Sequence, residues 1–527
     1  MFKSTLNSIK RVTKSASDSN KRFFKFSERS TTYKKEILGG ISTFIAMAYI
    51  LAVNPSMLGA SNGGNDYVGV FFLGTAISAF IGTILMGFVA KVPLATAPGM
   101  GVNAFFTYTV AGTVLGFQVE EALVATFISG WLYFILAITP LRSYMNKILP
   151  KNIKLAIGAM IGLFLAYIGL ADSGIIVSDA YQAPWAASGV ESATSTTLGS
   201  FKDPFVLIAV SVLILGFALH VLKIKGGIII AMIAGVVMLA IAKASGVTDA
   251  EQIFKMQNYE SFGKFNELSR KMWSSFGVMA DPKIYIAIFV FLYTDFFDTS
   301  GTLFAVEEEV KFSKTDKKWM AKANIVDAVS TVSGSIMMTS TNTTYVESMV
   351  GVSQGSRTGF SSLVTAMLFG LSIVAWPLMS SLMPISHLQE GIPAAKGSVM
   401  PVTGPILVVV GSMMLSQLRH FNWSKVVDIP VLLVILVIGM LGYSISTGIA
   451  AGLVLYYILN VALYLKLIYL NKRNLKLEMN DLEIAESSNV SKSENTIPNL
   501  KNRILNPVMI GLFVMAVIYF ATLPLYT

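Results

Sequence analysis

Three carboxylates stand where a bilayer would make them expensive. Asp295 and Asp298 lie three residues apart in "YTDFFDTSGTLF", directly after the apolar run "IYIAIFVFL", and Glu347 sits in "TSTNTTYVESMVGV". An ionised carboxylate at the centre of a membrane helix costs roughly 2.5–3.5 kcal/mol on insertion scales, so an intramembrane acid is by default a functional-site hypothesis. Residues three apart share nearly one helix face, and like charges placed together cannot all ionise cheaply. At least one of the three acids is therefore expected to hold a proton during part of a cycle, as proton-coupled transport requires. A carboxyl group in a closed cavity also accepts an N–H bond from a flat, neutral, polar ligand. Asn103 offers a donor and an acceptor, and Phe105, Phe106, Phe297 and Tyr345 could stack on a planar ring. The plainer alternatives are acids that bond Ser and Thr hydroxyls between helices, and aromatics that simply pack.

Other chemistries find little support. His220, His387 and His420 are scattered and no HExxH occurs, which argues against a zinc hydrolase. The "GMG" triplet has no Lys-Ser or Lys-Thr after it, so it is not a phosphate loop. No Arg lies within a span near the acids, which disfavours an anion-selective pore. Two aspartates on one turn of one helix do not resemble the two-helix pair of a membrane aspartyl protease. Cysteine is absent, so there is neither a disulfide nor a thiolate metal site. Asp327 and Lys322 read as a pair, structural in preference to gating. The expectation is a protein that is not an enzyme and needs no cofactor, with the proton as coupling ion.

The elements that must hold these residues are membrane spans. The hydrophobic share of 54% and charged share of 13%, with a mean hydropathy of +0.65, lie outside the soluble globular norm. Apolar runs of about 17–25 residues, enough to cross roughly 30 Å of hydrocarbon, follow one another along the chain. Fourteen segments are read near 35–57, 68–90, 94–112, 119–142, 153–177, 203–222, 226–245, 283–305, 319–339, 341–351, 358–383, 399–417, 428–446 and 447–469. A further apolar run, 507–524, either spans or lies at the interface. The net charge of +10 gathers beside these segments as the positive-inside rule predicts, which argues against nucleic acid as a partner. The N-terminus has basic residues but no apolar core or cleavage site, so it is not a signal peptide. It reads as a cytosolic tail beside an anionic leaflet.

Two segments differ from ordinary spans. The third holds "LATAPGMGVNAFF", with Pro98, Gly99 and Gly101 at its start, and the tenth is short and polar. Broken backbone survives in a membrane only against a cavity or packed protein. The two breaks are seven segments apart in a chain of fourteen, the pattern of an inverted repeat whose discontinuous helices mark a midplane binding site. The seventh and fourteenth segments are also loosely alike. The predicted divisions are a basic cytosolic tail (1–34), a first repeat (35–245), an extracellular loop (246–282), a second repeat (283–470), a polar cytosolic stretch (471–506) and a C-terminal hydrophobic segment (507–527).

These motifs carry a family resemblance. "GGISTFIAMAYILAVNPSMLG", "APGMGVNAFF", "DFFDTSGTL", "TNTTYVESMVGVSQGSRTGF" and "IPVLLVILVIGMLGYSISTGIAAG" resemble the nucleobase:cation symporter-2 family, in its AzgA-like branch of purine permeases, from about Glu36 to Leu470. The resemblance implies an all-α polytopic membrane protein of fourteen segments in two inverted repeats of seven. It also implies core and gate domains, with short strands in the broken third and tenth segments. It implies uptake of adenine, guanine or hypoxanthine with protons by alternating access, in the plasma membrane with the N-terminus cytoplasmic. Carried over by residue, Asp295 and Glu347 hold the base, Asn103 supports it, and Asp298 is the proton-linked or structural acid. The expected substrate-binding set is Asn103, Asp295, Glu347, Phe105, Gly101 and Thr343, and the proton-coupling set is Asp298, Asp295 and Glu347. The partners expected are a small purine base and membrane lipid, with a homodimer left open. A uracil or xanthine permease, or an anion exchanger of the same fold, is the alternative. Ser356 departs from the family's usual Gly in "GSRTG".

Overall fold

The computed structural model describes residues 23–112, 115–139, 150–178, 196–224, 226–246, 258–310, 316, 318–377, 385–386, 398–441, 445–472, 510, 513–514 and 516–517. The chain opens with α1 (Tyr33–Met47) and α2 (Ile50–Gly59), then α3 (Val68–Leu85). Strand β1 (Thr96–Pro98) leads into α4 (Met100–Ala104), which widens into a π-helical turn over Phe105–Val110. The first half continues with α5 (Val119–Ile138), α6 (Lys151–Asp172), the hairpin β2 (Ile176–Ser178) and β3 (Thr196–Leu198), α7 (Pro204–Val221) and α8 (Gly227–Ala244). Next come α9 (Phe265–Ser274), α10 (Lys283–Val310), α11 (Trp319–Ile336), β4 (Asn342–Thr344), α12 (Ser348–Ser353) and α13 (Gly359–Leu371). The chain ends through β5 (Ile385–Ser386), β6 (Ser398–Val399), α14 (Thr403–Leu415), α15 (Asp428–Leu441) and α16 (Ile445–Lys472).

Among the described residues, seven helices are long and apolar enough to cross a membrane. An eighth span arises if the pair Tyr259–Ala280 and Lys283–Phe296, bent by 113°, is taken together. Apolar helices over Gly359–Ala375 and Asp428–Met440 are shorter. The tenth segment, read from sequence as a span, is a three-residue strand followed by a six-residue helix. At about 3.3 Å per residue extended and 1.5 Å in a helix, these two elements advance roughly 19 Å, short of the roughly 30 Å of hydrocarbon.

The packing repeats itself across the two halves. Helix α5 packs on α11 while α3 packs on α13. Likewise α1 meets α13 as α10 meets α5, α7 meets α8 as α15 meets α16, and α7 meets α14 as α15 meets α6. In each of these four correspondences an element of one half takes the place of an element of the other. The helices sort into two bodies: α1–α5 with α10–α13, and α6–α8 with α14–α16. The pseudo-symmetric crossing of α6 and α14 is made possible by glycine. A Cβ on Gly162 would lie 2.6 Å from the Gly411 carbonyl oxygen, and one on Gly404 would lie 3.0 Å from that of Gly169. Without a hydrophobic drive between helices in lipid, such close backbone approach is what holds an interface together.

Parts read as loops or tails belong to the folded unit. Within 246–282, residues Tyr259–Ala280 are helical, and α9 lies against α5, with Leu268 and Met272 buried. Residues 247–257 lie outside the described residues. Near the N-terminus of α1, Phe24 and Phe26 are buried, each edge-on to Phe360. The Arg29 guanidinium donates to the carbonyls of Lys91 (2.5 Å) and Arg357 (3.0 Å). Glu36 collects the N–H groups of Arg357, Thr358 and Ser361, a carboxylate seated at the N-terminus of α13. Of the run 507–524, Phe513 stacks on Tyr457 of α16 at 4.4 Å and Ala516 is buried. Ile510, Val514 and Val517 are exposed; the rest of the run, and most of 471–506, lie outside the described residues.

Candidate functional site

The two breaks meet. Strands β1 and β4 pair antiparallel with Thr96 opposite Thr344, Ala97 opposite Thr343 and Pro98 opposite Asn342. Pro98 has no N–H to donate, so it fits only an edge or a strand end, and here it ends β1. The Gly99 N–H bonds the Thr341 carbonyl (3.0 Å) and the Tyr345 N–H bonds the Ala95 carbonyl (3.0 Å), extending the pairing at both ends. A two-stranded ribbon leaves outer backbone groups without ladder partners, and side chains take up several of them. Thr83 bonds both the N–H and the carbonyl of Thr96, and the Ser348 hydroxyl accepts from the Ala95 N–H (3.0 Å). The Tyr345 hydroxyl donates to the Pro98 carbonyl (2.5 Å), locking one break to the other.

Asp327 of α11 is the hub beneath this ribbon. It is fully buried and accepts from the hydroxyls of Tyr133 (2.9 Å), Thr299 (2.5 Å) and Thr344 (2.8 Å), joining α5, α10 and β4. The pair expected between Asp327 and Lys322 does not form. Lys322 instead bonds Asp316 at 2.7 Å, and that bond holds the Asp316 carboxyl below its ordinary range. The reason is geometric: five positions along a helix put the two side chains on different faces.

A cavity of about 960 Å³ runs from the ribbon between the two bodies. Its inner wall carries Met100, Gly101, Thr294, Thr343, Tyr345 and Glu347. Glu347 stands at the N-cap of α12, half-buried, and its carboxylate accepts from the Tyr49 hydroxyl at 3.0 Å. The second body closes the opposite side with Ile157, Ile161 and Val410. Its lining extends to Lys154 near the N-terminal end of α6 and to the exposed His220, Lys223, Arg419 and His420. At the other end of α6, about 27 Å along the helix from Lys154, the Tyr108 hydroxyl of the first body donates to Asp172 of the second at 3.0 Å.

Of the residues singled out from sequence, Gly101, Thr343 and Glu347 line the cavity. Asn103, Asp295 and Phe105 do not; all three are fully buried behind its wall. Asn103 accepts from the Ser340 hydroxyl, and its amide Nδ2 has no hydrogen-bond partner among the described residues. The Thr331 hydroxyl lies 2.8 Å from Asp295 and 2.7 Å from the Asn342 carbonyl, so it serves one at a time. Phe105 packs edge-on against Phe291 at 5.0 Å. The side chains of Asp298 and Phe297 lie outside the described residues, as does His387. Sequence reading missed Tyr49, although a phenolic O–H in an apolar span must find a partner. It also missed Thr294, one residue before Asp295. Among the described residues no group of three His, Cys, Asp or Glu could hold a metal ion.

The arrangement provides a buried polar ribbon, a carboxylate and backbone groups at two broken helices, and a cavity shared by two bodies. The chain is similar to known proteins. A model of xanthine/uracil permeases, described as "Permease family", matches residues 34–451. The chain is 34% identical over 444 residues to the guanine/hypoxanthine permease PbuO of Bacillus subtilis, covering 83% of this chain and 94% of that protein. It is 30% identical over 451 residues to the adenine permease AdeP of Escherichia coli, covering 84% and 90%. Among solved structures, the transmembrane domain of a cyanobacterium bicarbonate transporter, BicA, aligns with a TM-score of 0.55 at 15% identity, over 78% of this chain and 96% of that one. That likeness is one of fold.

Proposed function

The chain belongs to the nucleobase:cation symporter-2 permease family, and from that premise we propose that it carries purine nucleobases across the cell membrane with protons, by alternating access. Two inverted repeats of seven segments form a core (α1–α5, α10–α13) and a gate (α6–α8, α14–α16). The N-terminus and the open end of the cavity face the cytosol. The observation that carries the reading is the carboxylate of Glu347, placed at a helix break on the core wall of the shared cavity.

A purine presents N–H donors and ring-nitrogen acceptors in one plane. Glu347 accepts the donors, and the Tyr49 hydroxyl fixes which carboxylate oxygen does so. N–H groups at the starts of the broken helices α4 and α12 supply donors for the acceptors, at the positive end of each helix dipole. Thr294, Thr343 and Tyr345 complete the wall. Asp295 and Asn103, buried behind it, act as positioning residues for the ribbon in this inward-open form, and Asp298 remains assigned to proton coupling. The core moves against the gate once the bridge between Tyr108 and Asp172 opens.

The test is uptake of radiolabelled adenine, guanine, hypoxanthine, xanthine and uracil in cells lacking their own permeases, with and without a protonophore. Purine uptake that collapses with the protonophore supports the reading. No purine uptake refutes it, and uptake driven by sodium instead removes the proton step.

A further inference from the structure

The gate side of the same cavity carries charge that a neutral base does not need. Lys154 at the start of α6, His220 and Lys223 around the turn between α7 and α8, and Arg419 and His420 after α14 all line it. Every one belongs to the gate. The acid on the cavity wall, Glu347, belongs to the core. Arg419 Nε donates to His420 Nε2 at 3.3 Å, which sets the guanidinium beside the imidazole. An excess of Lys and Arg on one side of the membrane follows from the positive-inside rule. That rule places charges at helix ends; here three elements of one body bring them to the mouth of one cavity, where Lys223 and Arg419 remain solvent-exposed. The volume of about 960 Å³ is also at the top of the roughly 300–1,000 Å³ range for sites that hold drug-sized ligands, far more than a bare bicyclic base fills.

We propose that the inward-open cavity binds purine nucleoside 5′-monophosphates as inhibitors that are not transported, with the base on the core wall and the phosphate on the gate wall. This rests on the purine-transport reading above. The phosphate is recognised by Lys223 and Arg419 through charge-assisted hydrogen bonds, for which a guanidinium fork and an ammonium are both suited. The consequence follows from which body holds which end. A free base contacts the core wall and travels with it. A phosphorylated base ties core to gate, so the relative movement that releases it on the other side is blocked. The products formed when an imported base is joined to a phosphorylated sugar would then restrain further import.

The experiment is displacement of radiolabelled purine from the purified full-length protein in neutral detergent. Competitors are the unlabelled base, its nucleoside, its 5′-monophosphate and inorganic phosphate. The expected result is displacement by the monophosphate about tenfold or more tighter than by the nucleoside, weakening as salt rises and screens the contact, with none by phosphate alone. In Lys223→Gln/Arg419→Gln, base binding should persist while the monophosphate loses that tenfold advantage. A monophosphate no better than the nucleoside, or an advantage unchanged in the double variant, overturns the proposal while the transport reading stands. Absence of base binding in the competitor-free titration overturns both.

Discussion

Replacing Asp327 by Ala should cost more than any change on the cavity wall, although Asp327 touches no part of the cavity. Its carboxylate accepts three hydroxyls, from Tyr133, Thr299 and Thr344, in a site with no solvent exposure. A buried donor left without its partner costs about 1–3 kcal/mol, so three give about 3–9 kcal/mol if none is rescued. Two of the donors are threonines. Thr299 lies on α10 and can turn back to a carbonyl of its own helix, and it also lies 2.9 Å from the Thr343 hydroxyl, which moves the expected loss toward about 3 kcal/mol. Thr344 sits in β4, whose pairing with β1 sets the position of Glu347 three residues on. Asp327→Ala should therefore lower the melting temperature in detergent and abolish purine binding together. Asp327→Asn, which keeps the volume and one acceptor, should retain folded protein with weakened binding. The assay is fluorescence-detected size-exclusion chromatography across a temperature series, paired with a binding titration. An Asp327→Ala protein that melts with the native one would refute the hub.

Other consequences are testable in the same preparations. A Cβ on Gly162 would sit 2.6 Å from the Gly411 oxygen and 2.8 Å from Met414 Cβ. Gly162→Ala should therefore destabilise the gate by about 1–3 kcal/mol of overpacking, and an unchanged melting curve would contradict the close crossing. Tyr108→Phe and Asp172→Asn should each weaken the bridge at the closed end and raise labelling of a cysteine introduced beside it. The chain has no cysteine of its own to interfere; unchanged labelling in both would show that the bridge does not hold that end shut.

Much of this was legible from residue types. Seven of the fourteen apolar runs are helices long enough to cross a bilayer among the described residues, and Pro98, Gly99 and Gly101 mark a break because hydrocarbon leaves freed backbone groups unsatisfied. Glu347 was legible as a carboxylate in a polar segment too short for an ordinary span. The rest turned on rotation. A helix turns about 100° per residue, so whether Thr294 or Asp295 meets the cavity depends on how α10 is set against its neighbours, which spacing alone does not encode. Lys154, Lys223 and Arg419 were readable only as charges at helix ends, since loops do not reveal which side chains turn into a cavity. Dense mixed charge makes residues 259–280 read as loop, yet Phe265, Leu268 and Met272 follow the three-and-four spacing of an amphipathic helix.

The most direct measurement is equilibrium binding of labelled guanine, hypoxanthine and adenine to purified native protein and to Glu347→Gln. Glutamine keeps the size of the side chain and can still accept from Tyr49, but one carboxylate oxygen becomes a donor that opposes the N–H groups of a purine. Saturable purine binding by the native protein, lost in a Glu347→Gln protein of native melting temperature, is the predicted result. Native-strength purine binding by Glu347→Gln would contradict it.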